Sequence, residues 1–179
     1  MSPPRPAWRE HVESLLWAVV LAIVIRTFIM APFKIPSGSM RPTLMEGDRI
    51  LVNKFIYRFR NPERGDIIVF RYPNDTKRPF IKRLVAVGGD EVEIRDGKAL
   101  INRVPLDERE IFQHIAYRNQ GPYGQAHQVV TVPDDALFVL GDNSESSHDS
   151  RFWGFVPRRM LIGEAMCIFW PLRRIRLLR

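Results

Sequence analysis

The spacing of apolar residues changes character near Phe33. Before it, Ser14 to Phe33 is a run of twenty residues interrupted by one charge, Arg26. As a helix that run would extend ~30 Å, the thickness of a bilayer hydrocarbon core. Its uncharged stretch, Ser14 to Ile25, covers only twelve residues. Arg26 is therefore expected to snorkel, with its stem in lipid and its guanidinium at the headgroups. Pro32 is expected to end the helix. A cleavable leader would share the charged start and short apolar core, but no small-x-small pair follows and Pro32 stands directly after Ala31. Apolar residues on every face argue against a buried core helix. The pattern predicts one uncleaved span over 14–33, preceded by a short segment, 1–13.

Beyond residue 34 the apolar runs shorten and turn residues punctuate them. Ile50-Leu51-Val52 and Ile67-Ile68-Val69-Phe70 each follow a Gly-Asp pair. Glu91-Val92-Glu93-Ile94 and Ala99-Leu100-Ile101 flank Asp96-Gly97, a two-residue hairpin signal. Gln128 to Val132 and Ala136 to Leu140 read as two further strands around Pro133-Asp134-Asp135. Pro157 to Gly163 is the only candidate for a short helical turn after the span. Gly-Asp recurs at 47, 65, 89 and 141, too unevenly for a repeat, and reads as turn chemistry. The class is mainly β, with a closed or strongly coiled sheet to remove exposed edges.

A chain of 179 residues fits one such domain and an anchor. The single cysteine, Cys167, forbids an internal disulfide and, among Ala165, Met166, Ile168 and Phe169, is expected to be a buried structural thiol. The net charge of +7 comes without the basic and aromatic interleaving of a nucleic-acid surface. Attraction to anionic lipid is the more economical reading, because basic residues crowd near the span and in the tail 173–179. Arg5 and Arg9 precede the span while Arg26, Lys34 and Arg41 follow it, so charge leaves its orientation open.

Candidate chemistry sits in two pieces. Pro36-Ser37-Gly38-Ser39-Met40 places a serine among small residues just past the apolar run. Phe80-Ile81-Lys82-Arg83-Leu84 places a lysine inside an apolar strand. A serine hydroxyl needs a base, and lysine serves only when neutral, which burial among apolar groups favours. Strand alternation puts Lys82 on one face with Phe80 and Leu84, and Arg83 on the other with Ile81 and Val85. Taken alone, Lys82 could guard a sheet edge and Ser37-Gly38-Ser39 could be a linker or cap. The Ser39 amide and Ser37 hydroxyl are near enough in sequence to serve as oxyanion donors. Of four histidines, only His148, between Ser147 and Asp149, invites a Ser/His/Asp reading, and its spacing gives that no support. No Cys or His cluster has metal-ligand spacing.

Four ordered segments resemble bacterial type I signal peptidases. They are Phe33 to Leu44 (FKIPSGSMRPTL), Gly47 to Lys54, Ile81 to Asp90, and Gly141 to Pro157 (GDNSESSHDSRFWGFVP). The resemblance implies that Ser39 is the nucleophile and Lys82 the general base, without metal or cofactor. Ser37 would assist the Ser39 amide at the oxyanion, Ser147 would orient the lysine amine, and Asp149 with Arg151 would form a structural ion pair. Phe33, Ile35, Met40, Leu44 and Ile81 would line pockets for small side chains at the −1 and −3 positions. A β-rich endopeptidase domain over 34–172 is implied, sharing its core with self-cleaving repressor proteases. Its partners would be signal peptides of secreted preproteins and membrane lipid, beside the secretion translocon and on the extracytoplasmic side of the cytoplasmic membrane. A specialised Ser/Lys protease for a pilus or conjugation component, or a membrane-anchored binding module, remain the alternatives.

Overall fold

The computed structural model describes residues 7–24, 29–106 and 110–178. Helix α1 (Ala7–Val24) starts the described chain. It begins before the expected span and ends well short of it. Arg9, Glu10 and Glu13 lie in its first turns, and among the described residues no helix is long and apolar enough to cross a membrane. Leu15, Trp17, Leu21 and Ile23 are all exposed. Arg26, Thr27 and Phe28 lie outside the described residues.

Pro32 does not end a helix. Met30–Lys34 is strand β1, paired antiparallel with β2 (Arg49–Asn53) so that Pro32 faces Leu51. The ladder decides this segment, and β1 is an edge, where a residue without an N–H is tolerated.

The main sheet has eight strands, including β3 (Ile67–Tyr72), β4 (Asp75–Val87), β9 (Ala136–Leu140), β10 (Val156–Pro157), β11 (Leu161–Trp170) and β12 (Arg176–Leu177). Its order is β1-β2-β11-β3-β4-β9-β10, with β12 beside β11. A second sheet orders β5 (Glu91–Arg95), β6 (Lys98–Ile101), β7 (Val104–Pro105) and β8 (Val129–Thr131) as β7-β6-β5-β8. The expected β5–β6 hairpin forms, with Arg95 opposite Lys98. Asp96 and Gly97 take φ of 52° and 77°, both positive as a type I′ turn requires. The helical pieces after α1 are short: α2 (Glu110–Gln113), α3 (Ser150–Trp153) and single turns such as Arg158–Met160, inside the stretch expected to turn.

Three of the four Gly-Asp pairs share one device. Gly47, Gly65 and Gly89 take φ of 88°, 98° and 86°. The aspartate after each accepts the N–H three residues before it, from Met45, Glu63 and Val87. Gly141-Asp142 does not follow this pattern and belongs to the site described below.

Rather than forming a free basic tail, residues 172–178 fold back on the sheet. Arg174 grips both carboxylate oxygens of Asp48, Arg176 donates to the Thr43 carbonyl, and Leu178 is buried with Ile50 and Ala165. Cys167 is half-buried rather than buried, because it lies where a bulge shifts the β11–β2 register.

Candidate active site

Two β elements deliver Ser39 and Lys82 to one point. After β1 the chain enters a single 3-10 turn, Gly38–Met40. Met40 and Leu44 drive this segment inward and are fully buried with Ile35 and Ile50. Hydrogen bonds from Ile35 N–H to the Asp48 carbonyl and from Leu44 N–H to the Met40 carbonyl close the loop on itself. Lys82 stands on β4, which is covered on both edges by β3 and β9, with Ile68 directly opposite. A lysine there is interior, not an edge guard. Phe80 and Leu84 pack in one core and Ile81 in another, as the alternation required.

Lys82 Nζ donates to Ser39 Oγ at 2.5 Å, and the two residues are 4% and 7% exposed. Burial lowers the lysine pKa to about 8, working against Asp149 and Asp142, which raise it, and with Arg151, which lowers it. A far larger fraction of this amine is neutral near neutrality than of a solvated lysine. The Ser37 hydroxyl lies 3.5 Å from Ser39 Oγ, long for an O–H···O bond. Ser147 is buried beside the pair, and its hydroxyl has no hydrogen-bond partner among the described residues. It therefore does not hold Lys82 in this structure.

Gly141 explains the closeness of these groups. A Cβ there would collide with Ser147 Oγ and stand 2.5 Å from the Ser39 carbonyl oxygen. Neither neighbour can retreat, since both belong to the packed site. Gly141→Ala is therefore expected to destabilise the protein by about 1–3 kcal/mol through overpacking, and to cut kcat by displacing Ser39. Thermal unfolding and single-turnover cleavage would measure the two effects.

Asp149 and Arg151 are both wholly buried and paired through two contacts of 2.8 Å. Asp149 also accepts the Gly141 N–H at 3.0 Å, and Arg151 is satisfied by Ser144 Oγ and the carbonyls of Ser144 and Arg118. A second buried pair was not anticipated. Arg83 Nε and Nη2 donate to Asp142 at 2.7 and 2.6 Å, Nη1 reaches the Gly65 carbonyl, and Thr43 Oγ1 donates to Asp142 at 2.5 Å. Arg83 and Asp142 both lie inside the motif segments. The face opposite Lys82 and the motif aspartate were the signals that could have found them.

A groove of about 320 Å³ is lined by Phe33, Ile35, Ile50, Val69, Phe80 and Ile81, with Lys34 and Arg78 at its rims. Of the expected pocket residues, Phe33, Ile35 and Ile81 line it. Met40 and Leu44 do not; they lie at zero exposure in the core that includes Ile35 and Ile50. His148 is exposed and meets Tyr72, while the adjacent Asp149 is committed to Arg151. Among the described residues no group of three or more His, Cys, Asp or Glu side chains is placed to hold a metal ion.

The family model for signal peptidase, peptidase S26, matches residues 8–170. The chain is 45% identical to a probable signal peptidase I-2 from Synechocystis sp., over 99% of this chain and 80% of that protein. It is 42% identical to a signal peptidase I from Leptolyngbya laminosa, over 93% of this chain and 81% of the other. A crystal structure of a signal peptidase I from Enterococcus faecalis V583 is 34% identical, covering 59% of this chain and 97% of that one with a TM-score of 0.48. The extent of the family match and the coverage of both sequence relatives carry the assignment: the chain belongs to the signal peptidases, peptidase S26, and is a protease of that class.

Proposed function

We propose that this protein is a membrane-anchored serine endopeptidase that removes signal peptides from exported preproteins, with Ser39 as nucleophile and Lys82 as general base. The observation that carries the proposal is the 2.5 Å contact between a buried lysine amine and a buried serine hydroxyl. Neutral Lys82 takes the Ser39 proton as Oγ attacks the scissile carbonyl, and the carbonyl electrons move onto its oxygen. The Ser39 N–H and the Ser37 hydroxyl receive that oxyanion. As the C–N bond breaks, Lys82 returns the proton to the departing amine of the mature chain. A water, deprotonated by the same lysine, then hydrolyses the acyl ester and frees Ser39. The Ser147 hydroxyl, buried without a partner beside Ser39, is available to the amine as it changes protonation state, and the Asp149–Arg151 pair fixes the loop that carries it.

The groove gives the substrate preference its physical form. The small side chains at −3 and −1 are assigned to the groove that Phe33, Ile35 and Ile81 line. The exposed apolar side chains of α1 hold the protein at the cytoplasmic membrane, with the catalytic domain on its extracytoplasmic side. There the site meets signal peptides released beside the translocon while their own helices are still in lipid. Confinement of enzyme and substrate to one plane raises their effective concentration.

Cleavage of a preprotein with Ala at −3 and −1, followed across pH, tests the base. The kcat/KM should rise with pH as the free enzyme's lysine loses its proton and level off above about 8. Lys82→Arg should be inactive, because a guanidinium does not deprotonate in this range. A flat profile between about pH 6 and 10, or an active arginine variant, would assign the proton transfer to another group.

A further inference from the structure

Asn143 makes two contacts with the turn that carries Ser39. Its backbone N–H donates to the Ser39 carbonyl at 3.1 Å, and its side-chain Nδ2 donates to the Gly38 carbonyl, also at 3.1 Å. One residue thus holds both peptide planes that flank the Ser39 Cα. The Gly38 carbonyl also accepts the Arg41 N–H that closes the 3-10 turn, at 3.1 Å.

The consequence follows from amide geometry. The Gly38 carbonyl and the Ser39 N–H belong to one planar trans peptide unit, so they point in opposite directions. Any group that fixes the carbonyl therefore aims the N–H. Donation into the carbonyl also polarises the amide and makes its N–H a stronger donor. Asn143 lies on the side away from the N–H, so it does this without occupying the space where a substrate oxygen would sit. Its own position is set by Gly141, where only a hydrogen lets the loop approach Ser39, and by the burial of Asp142 against Arg83.

We propose that Asn143 is a positioning residue for the oxyanion hole, acting through the Gly38–Ser39 peptide to aim the Ser39 N–H at the developing negative charge. The inference rests on Ser39 being the nucleophile. Asn143 touches neither substrate nor Lys82, so its effect falls on the transition state and leaves ground-state binding and the proton inventory of the lysine alone.

The test uses the full chain in detergent micelles, a preprotein substrate, and two peptides of the same sequence with Ala at −3 and −1. One ends in an aldehyde, which adds Ser39 Oγ to form a hemiacetal oxyanion. The other ends in the corresponding alcohol, which has no carbonyl to attack. Asn143→Leu keeps the size of the side chain and removes its donor. It should lower kcat by about 10- to 100-fold, less than outright loss of an oxyanion donor, with KM within about twofold. Aldehyde affinity should fall by a similar factor while alcohol affinity holds, and the pH midpoint of kcat/KM should not move. A kcat within about twofold of wild type, or equal weakening of aldehyde and alcohol, would overturn the proposal, the second outcome marking general loosening of the site. Asn143→Ala, which also lacks the donor and adds no charge, gives the same comparison if the leucine variant does not fold. Ser39→Ala in the same assays separates the premises. If it cleaves, or binds the aldehyde as tightly as wild type does, the nucleophile assignment has failed rather than the role of Asn143.

Discussion

Ser39→Ala and Lys82→Ala should each lower preprotein cleavage by about 10⁴-fold or more, and the double variant should be no slower than either alone, because residues that act as one unit are not additive. A folded Ser39→Ala enzyme that still cleaves would refute the dyad. The stability of the lysine variants carries a second signature. Native Lys82 releases its proton at about 8, whereas in an unfolded chain it holds the proton to about 10.5. Between those values the unfolded state binds more protons, so Lys82 makes stability rise with pH across that window and imposes its full penalty below about 8. Lys82→Met fills the same space without a charge. It should be inactive yet more resistant to heat at neutral pH, by up to about 3 kcal/mol. Thermal unfolding beside the activity assay gives both readings, and a methionine variant that melts lower would contradict the desolvated lysine.

The second large effect concerns stability alone. Asp142→Ala should strand the Arg83 guanidinium, which is 3% exposed, without its counter-charge. Breaking one side of such a pair costs about 3–5 kcal/mol, a fall in Tm on the order of 10 °C for a domain of this size. Replacing both partners, Arg83→Met with Asp142→Leu, should recover much of that loss, since no charge is then left buried alone. Circular dichroism melts of both variants beside wild type decide the matter. An Asp142→Ala protein melting within about 2 °C of wild type would show the pair to be solvated or replaceable.

Much of this was legible in the sequence where local chemistry and fold agree. β2, β3, β5, β6, β8 and β9 each contain residues that alternate or cluster between turn signals, and Asp96-Gly97 dictates its own hairpin. β1 was misread because apolar composition suits a membrane helix and an edge strand equally, and only pairing with β2 separates them. β11 was missed for another reason. It pairs with β2 on one side and β3 on the other and carries bulges after Ala165, Ile168 and Leu161, so no simple period survives in its sequence. Ser39 and Lys82 were readable because each is an exception to its surroundings. Arg83 and Asp142 looked like ordinary surface charges, and the fourth Gly-Asp looked like the other three, because burial of an ion pair is decided by tertiary contacts.

The fold-back of residues 172–178 bears on how this enzyme comes into being. The loop following Ser39 is gripped at Asp48 by Arg174 and at Thr43 by Arg176, and β2 lies in the sheet between β1 and β11. A ribosome makes the Ser39 turn early and its clamps more than a hundred residues later. During that interval the turn has its neighbours Met40 and Leu44 but not β11 or the arginines that hold the loop in place. Such long-range closures are late and slow steps in folding. The loop after the Ser39 turn therefore reaches its final setting only once β11 and the arginines that follow it have been made.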